Sequence, residues 1–148
     1  MKRFVIALTV TFLITVCCSC GKTDEVKIID LSRFDKTEIF TGPYFVAALE
    51  YDKKAQCVER LIGKINSLDE EEMLLLPNDF KESESVIIQS TLGDRLYMYI
   101  ISASDDGICT LNGGLNEAGA DERYEFSFMW DDAQNTIAEI NAHIIENQ

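Results

Sequence analysis

Apolar positions recur along this chain with two different periods. Ala55, Val58, Leu61, Ile62, Ile65 and Leu68 fall three or four residues apart, with Lys54, Glu59 and Lys64 off the stripe. That is one face of an amphipathic helix, and Asp52 stands where a cap would open it. Near the other end of the chain Ala133, Ile137, Ile140 and Ile144 repeat the spacing, with Asp131 and Gln134 placed as a capping box. Between these stretches the period drops to two. Tyr124, Phe126, Phe128 and Trp130 alternate with Arg123, Glu125, Ser127 and Met129, which predicts a strand. "SVIIQSTL" and "RLYMYIIS" flank Gly93-Asp94, a pair suited to a two-residue hairpin turn. In that register Ile88 faces Tyr99 and Val86 faces Ile101 on one side, while Ile87 faces Ile100 and Gln89 faces Met98 on the other.

Shorter segments complete the order. "VKIIDL" and "TEIF" read as strands. "YFVAALEY", residues 44–51, reads as a strand covered on both faces, entered through Thr41-Gly42-Pro43. Ser67 and Glu70 have capping-box spacing, so a second helix is expected over 68–76, stopped by Pro77, with the acidic run 69–72 in its first turn. Asp105-Asp106-Gly107 turns the chain into "ICTL", and residues 112–121, "NGGLNEAGAD", read as a loop. The predicted class is α+β: an antiparallel β-meander of about four or more strands with two or three helices packed on one face. Residues 28–148 form a single domain.

The amino terminus carries a different signal. Lys2 and Arg3 precede an uncharged run, residues 4–16, which is too short to span a bilayer and of the length of a signal-peptide core. The run leads into "VCCSCGK", where Ser19 stands before Cys20. Zinc would need cysteine pairs or histidines at ligand spacing, and the chain has a single His, His143. A disulfide framework would need cysteines through the domain, which holds only Cys57 and Cys109. The pattern resembles the lipobox of bacterial lipoproteins, departing from it at Cys17, where a Leu is usual. The resemblance implies a signal peptide over 1–19, acylation at Cys20, a tether over 20–27, and a protein held by its lipid at the bacterial envelope, facing outside the cytoplasm. Lys22, Asp24 and Glu25 are similar to the charged export signals of some surface lipoproteins of Bacteroidetes.

Charge narrows the function classes. From Cys20 onward 26 acidic residues face 11 basic ones, a formal net charge of −15. Nucleic acid is excluded as a partner, because phosphate binding needs a basic footprint. The acidity serves solubility, or it steers a basic protein partner. Cys57 and Cys109 are the candidates for a disulfide, or two buried thiols.

Catalytic signatures are missing from the pattern: a lone histidine, no G-x-S-x-G and no H-E-x-x-H. No metal or cofactor is expected. The aromatic stripe at 124–130 is read as core under a helix. The partner surface is expected at Tyr97 and Tyr99, on the hairpin's other face, and at Asn112, Leu115, Asn116 and Glu117 in the glycine-rich loop. Two functions follow. The first is a non-catalytic binding module, inhibitor- or immunity-like. The second is a carboxylate-based hydrolase of envelope or other glycans, which would need two converging acids.

Overall fold

The computed structural model describes residues 27–42, 44–52, 55–117 and 120–148. The expected signal peptide, Cys20 and all of the expected tether but Lys27 lie outside them. Six strands, β1 (Lys36–Thr41), β2 (Ala48–Glu50), β3 (Glu84–Leu92), β4 (Arg95–Ala103), β5 (Ile108–Leu115) and β6 (Arg123–Met129), form one antiparallel sheet in the order β2-β1-β3-β4-β5-β6. Two helices, α1 (Gln56–Asn66) and α2 (Ala133–Glu146), complete an α+β domain. The β3–β4 hairpin has the expected register, Ile88 opposite Tyr99 and Gln89 opposite Met98, and turns at Gly93, whose φ of 57° is the left-handed geometry such turns require. No helix among the described residues is long and apolar enough to cross a membrane.

The core follows the two periods. Val86 and Ile88 of β3, Tyr97, Tyr99 and Ile101 of β4, Cys109 and Leu111 of β5, and Phe126 and Phe128 of β6 join one cluster with the stripes of α1 and α2. All six positions of the first stripe, from Ala55 at the cap of α1 to Leu68 just past its end, are buried, as are Ala133, Ile137, Ile140 and Ile144. Helix α2 crosses β1, β3, β4 and β5 and packs along α1. Burying a Leu, Ile or Phe side chain fully contributes about 1.5–3 kcal/mol, so these stripes dominate the folding free energy.

Several local expectations are corrected. Ile29, inside the supposed first strand, is fully buried, but its N–H and C=O are held by the Asn66 side chain at 2.9 and 2.7 Å instead of by a neighbouring strand. A 3-10 turn at Leu31–Arg33 follows, capped by Asp30, which accepts from the Ser32 amide at 3.1 Å. The expected buried strand over 44–51 shrinks to three edge residues, Ala48–Glu50. Helix α1 opens at Ala55, not Asp52, and α2 at Asp132, not Asp131. Gln134 bonds Asp105 at 3.0 Å instead of closing a capping box. The second helix over 68–76 reduces to a 3-10 turn, Glu70–Glu72, with Glu72 accepting from the Asp69 amide at 3.0 Å. The chain then leaves helical geometry because Leu74 pairs with the outer edge of β6, exchanging backbone bonds of 2.7 and 2.8 Å with Ser127. That contact protects part of an open sheet edge.

The "NGGL" of the supposed loop lies within β5. A β-carbon on Gly113 would stand 2.0 Å from the Met98 carbonyl oxygen, so the glycine lets β5 approach β4.

Candidate interaction surface

The residues nominated as a partner surface separate in space. Tyr97 and Tyr99 are each only 1 % exposed, which corrects their assignment to a surface. They sit on the core side of β4, where Tyr97 lies beside Leu115 and Tyr99 beside Gly113 in the neighbouring strand. The chain at 27–34 covers them. The Phe34 ring centroid is 4.9 Å from that of Tyr97, and the Arg33 guanidinium lies 4.9 Å from Phe34 and 4.8 Å from Tyr97. Arg33 also meets Glu122 at 2.7 Å. Burial pushes the Tyr99 hydroxyl up to about 12, and the Arg33 hydrogen bond holds the Glu122 carboxyl below its ordinary range. Hairpin parity assigned the two tyrosines to the same side correctly, but parity alone does not say which side is covered.

Leu115 is also buried. Asn112 is exposed on the sheet face away from the core, next to Ile100 in register, and Asn116 and Glu117 are exposed past the end of β5. No single surface unites the six. Cys57 and Cys109 are both free and buried, so the disulfide candidate is corrected to two separate thiols. Burial raises both thiols, Cys109 to about 12. His143 lies near the end of α2, its ring nitrogen Nδ1 3.3 Å from the Asn147 amide. Among the described residues no three His, Cys, Asp or Glu side chains are grouped to hold a metal ion.

The pattern of apolar residues concealed another feature. Tyr44 and Val46 are 82 % and 78 % exposed, and Phe45 47 %, in a run whose composition resembles buried strand. Their loop is pinned at its base. Thr41 donates to the Ala47 carbonyl at 3.0 Å, the Ala47 amide donates to Thr41 Oγ1 at 3.1 Å, and Gly42 donates to the Ser85 carbonyl at 3.2 Å. Phe45 has a φ of 53°, the one non-glycine in the left-handed region among the described residues. Its ring meets Phe40 edge-on at 5.1 Å. Phe40 in turn stands opposite Ile87, and Ile87 opposite Ile100, a row on the face away from the core. The sequence cue was the Gly42-Pro43 pair, a signal that ends extended structure, set against an apolar run that continues past it. A second apolar run, Leu74 to Leu76, is also exposed beside β6.

Searches against protein families, curated proteins and solved structures return no match for this chain.

Proposed function

We propose that this chain is a bacterial lipoprotein, acylated at Cys20 after removal of residues 1–19, whose domain is a non-catalytic binding module outside the cytoplasm, inhibitor- or immunity-like in action. The observation that carries the binding role is the loop of Tyr44, Phe45 and Val46. It keeps three large apolar side chains in solvent and one of them in a left-handed backbone conformation. Such a backbone costs about 1–2 kcal/mol for a side chain with a β-carbon, and the exposed apolar area forgoes burial. Neither helps the fold, and strain of this kind concentrates at binding and switch sites. In this reading α1 and α2 form one layer on the core side of the sheet. The loop and the Phe40–Ile87–Ile100 row lie on the other side.

The hydrolase reading is weaker. A glycosidase needs one carboxylic acid whose pKa is raised. Asp30, Glu72 and Glu122 are held low instead, by the Ser32 hydroxyl, the Asp69 amide and Arg33 respectively, so none of these three suits that role.

Anchoring is tested by replacing Cys20→Ser, feeding cells a fatty-acid analogue and following label and protein in membrane fractions. Loss of label and release from the membrane are expected. A variant that keeps its label would refute acylation at Cys20.

A further inference from the structure

We infer that the exposed loop docks a cationic protein through an apolar cleft on that partner, at the end of the domain remote from the membrane anchor. The inference rests on the lipoprotein reading for its orientation, and on the fold for the rest.

The sheet has two chemically different ends. At one end Gly42 is tied to Ser85, so the exposed loop stands next to the start of β3. Ser83 bonds Ala103 at 2.8 Å, and Glu82 accepts from Ser102 at 2.6 Å, bringing the start of β3 to the end of β4. Trp130 donates to Gly107 at 2.9 Å, joining the β4–β5 turn to the start of α2. Glu82, Glu84, Asp105, Asp106, Asp131 and Asp132 therefore gather at this end, with Lys81 among them and Arg60 3.6 Å from Asp132. At the opposite end Arg33, Lys36, Arg95 and Arg123 are interleaved with as many acids, among them Asp35, Asp94, Asp121 and Glu122. Here Asp35 bonds Thr91 at 2.8 Å and Asn66 holds Ile29. The sheet end that carries the apolar loop therefore has an excess of carboxylates over cations.

The anchor arrives at the balanced end. Lys27 borders the groove between Ile29, Tyr51 and Asn66, seven residues from Cys20. Seven extended residues reach roughly 25 Å at most. Strand β1, of 6 residues, puts the loop about 20 Å further along the sheet. An anionic lipid surface would repel the acidic end and accept the balanced one. The tether's reach exceeds that distance, so length alone permits the loop to meet the bilayer, and it is charge that disfavours its insertion. A second copy of the domain would bring two acidic ends together. A cationic protein satisfies both features: the carboxylates steer its approach, and Tyr44, Phe45 and Val46 fill its cleft.

The test places a photoreactive amino acid at Tyr44, at Val46 and, as a control at the other end, at Glu117 of the full-length protein in the producing bacterium. Adducts are identified by mass spectrometry. The expected adduct forms from 44 and 46 but not 117, with a protein of net positive charge. That protein is then bound to detergent-solubilised full-length chain. Tyr44→Ser with Val46→Ser should weaken binding roughly tenfold or more, mainly through the off-rate. Asp106→Asn with Asp131→Asn should slow association several-fold at about 0.05 M salt and little at 0.5 M, where the Debye length is about 4 Å. Adducts with lipid, with a second copy, with an acidic protein, or equally from 117, or no adduct at all, would each overturn the proposal. If Cys20→Ser retains its fatty-acid label, the anchor reading and the orientation fail, while the adduct from position 44 still decides the docking.

Discussion

Replacing Gly113 by Ala tests whether the glycine pair belongs to the sheet or to a binding loop. Gly113 has a φ of 150°, and an added β-carbon would lie 2.0 Å from the Met98 carbonyl oxygen and 2.7 Å from the Tyr99 α-carbon. Both atoms are backbone of β4, which is paired on both sides and cannot rotate away. The unfavourable backbone region costs about 1–3 kcal/mol and the overpacking about as much again, so a loss of roughly 3–5 kcal/mol is expected. A domain of this size holds about 5–15 kcal/mol in all, so the midpoint of thermal unfolding should fall by roughly 10–20 °C. Two other glycines calibrate the effect. Gly93 has a φ of 57° with nothing within 4 Å of an added β-carbon, so Gly93→Ala should cost only the left-handed conformation, about 1–2 kcal/mol. Gly63 lies inside α1 and also faces open space, so Gly63→Ala should stabilise by about 0.5–1 kcal/mol. Urea titrations followed by circular dichroism and Trp130 fluorescence give all three values. If Gly113→Ala unfolds within about 1 kcal/mol of the parent, or the order of the three fails, β5 does not run through the glycines and the loop reading stands.

Other outcomes follow from the same geometry. Asn66→Ala strands the backbone groups of buried Ile29 and should cost about 1–3 kcal/mol, with faster hydrogen exchange over 27–34 and little change in the β3–β4 hairpin; unaltered exchange over 27–34 would contradict the clamp. Native protein at pH 8 should leave Cys57 and Cys109 unalkylated, and urea should expose both without reductant; a native Cys109 that reacts at the rate of a free thiol would overturn its burial. Glu122 has its folded pKa lowered by Arg33, so its contribution is present above the unfolded value of 4.5 and is lost as pH falls through the folded value. Glu122→Gln should therefore be less stable than the parent near pH 7 and converge with it in acid. The gap should stay below about 1 kcal/mol because the pair is exposed, and a gap that widens in acid would refute the assignment.

How much of this molecule was legible in advance depended on the scale of the signal. Periods of two and three to four residues located the β3–β4 register and the stripes of both helices, because each is set by the geometry of a single element. Caps and short apolar runs were misplaced. The reason differs at each. Leu74 was drawn off a helix by the edge of β6, 53 residues distant in sequence, and Ile29 was claimed by the Asn66 side chain, 37 residues away. The candidate site was hardest to read. Tyr44, Phe45 and Val46 have the composition of buried strand, and Tyr97 and Tyr99 were placed at the surface because the cover over them was not visible.

By itself the sequence determined the α+β class, the acidic balance, the positions of the amphipathic stripes and the side of the hairpin on which each residue falls. These depend on composition and on contacts within an element or between neighbours joined by a tight turn. Only the tertiary structure decided which side of the sheet would be dry, that β5 would continue through its two glycines, and that an apolar run would be left in water. Those outcomes depend on which segments compete for the same surface. The chain at 27–34 won the place over Tyr97 that a partner was expected to take. Phe45, turned to positive φ after Gly42, left the strand before its neighbours could be buried.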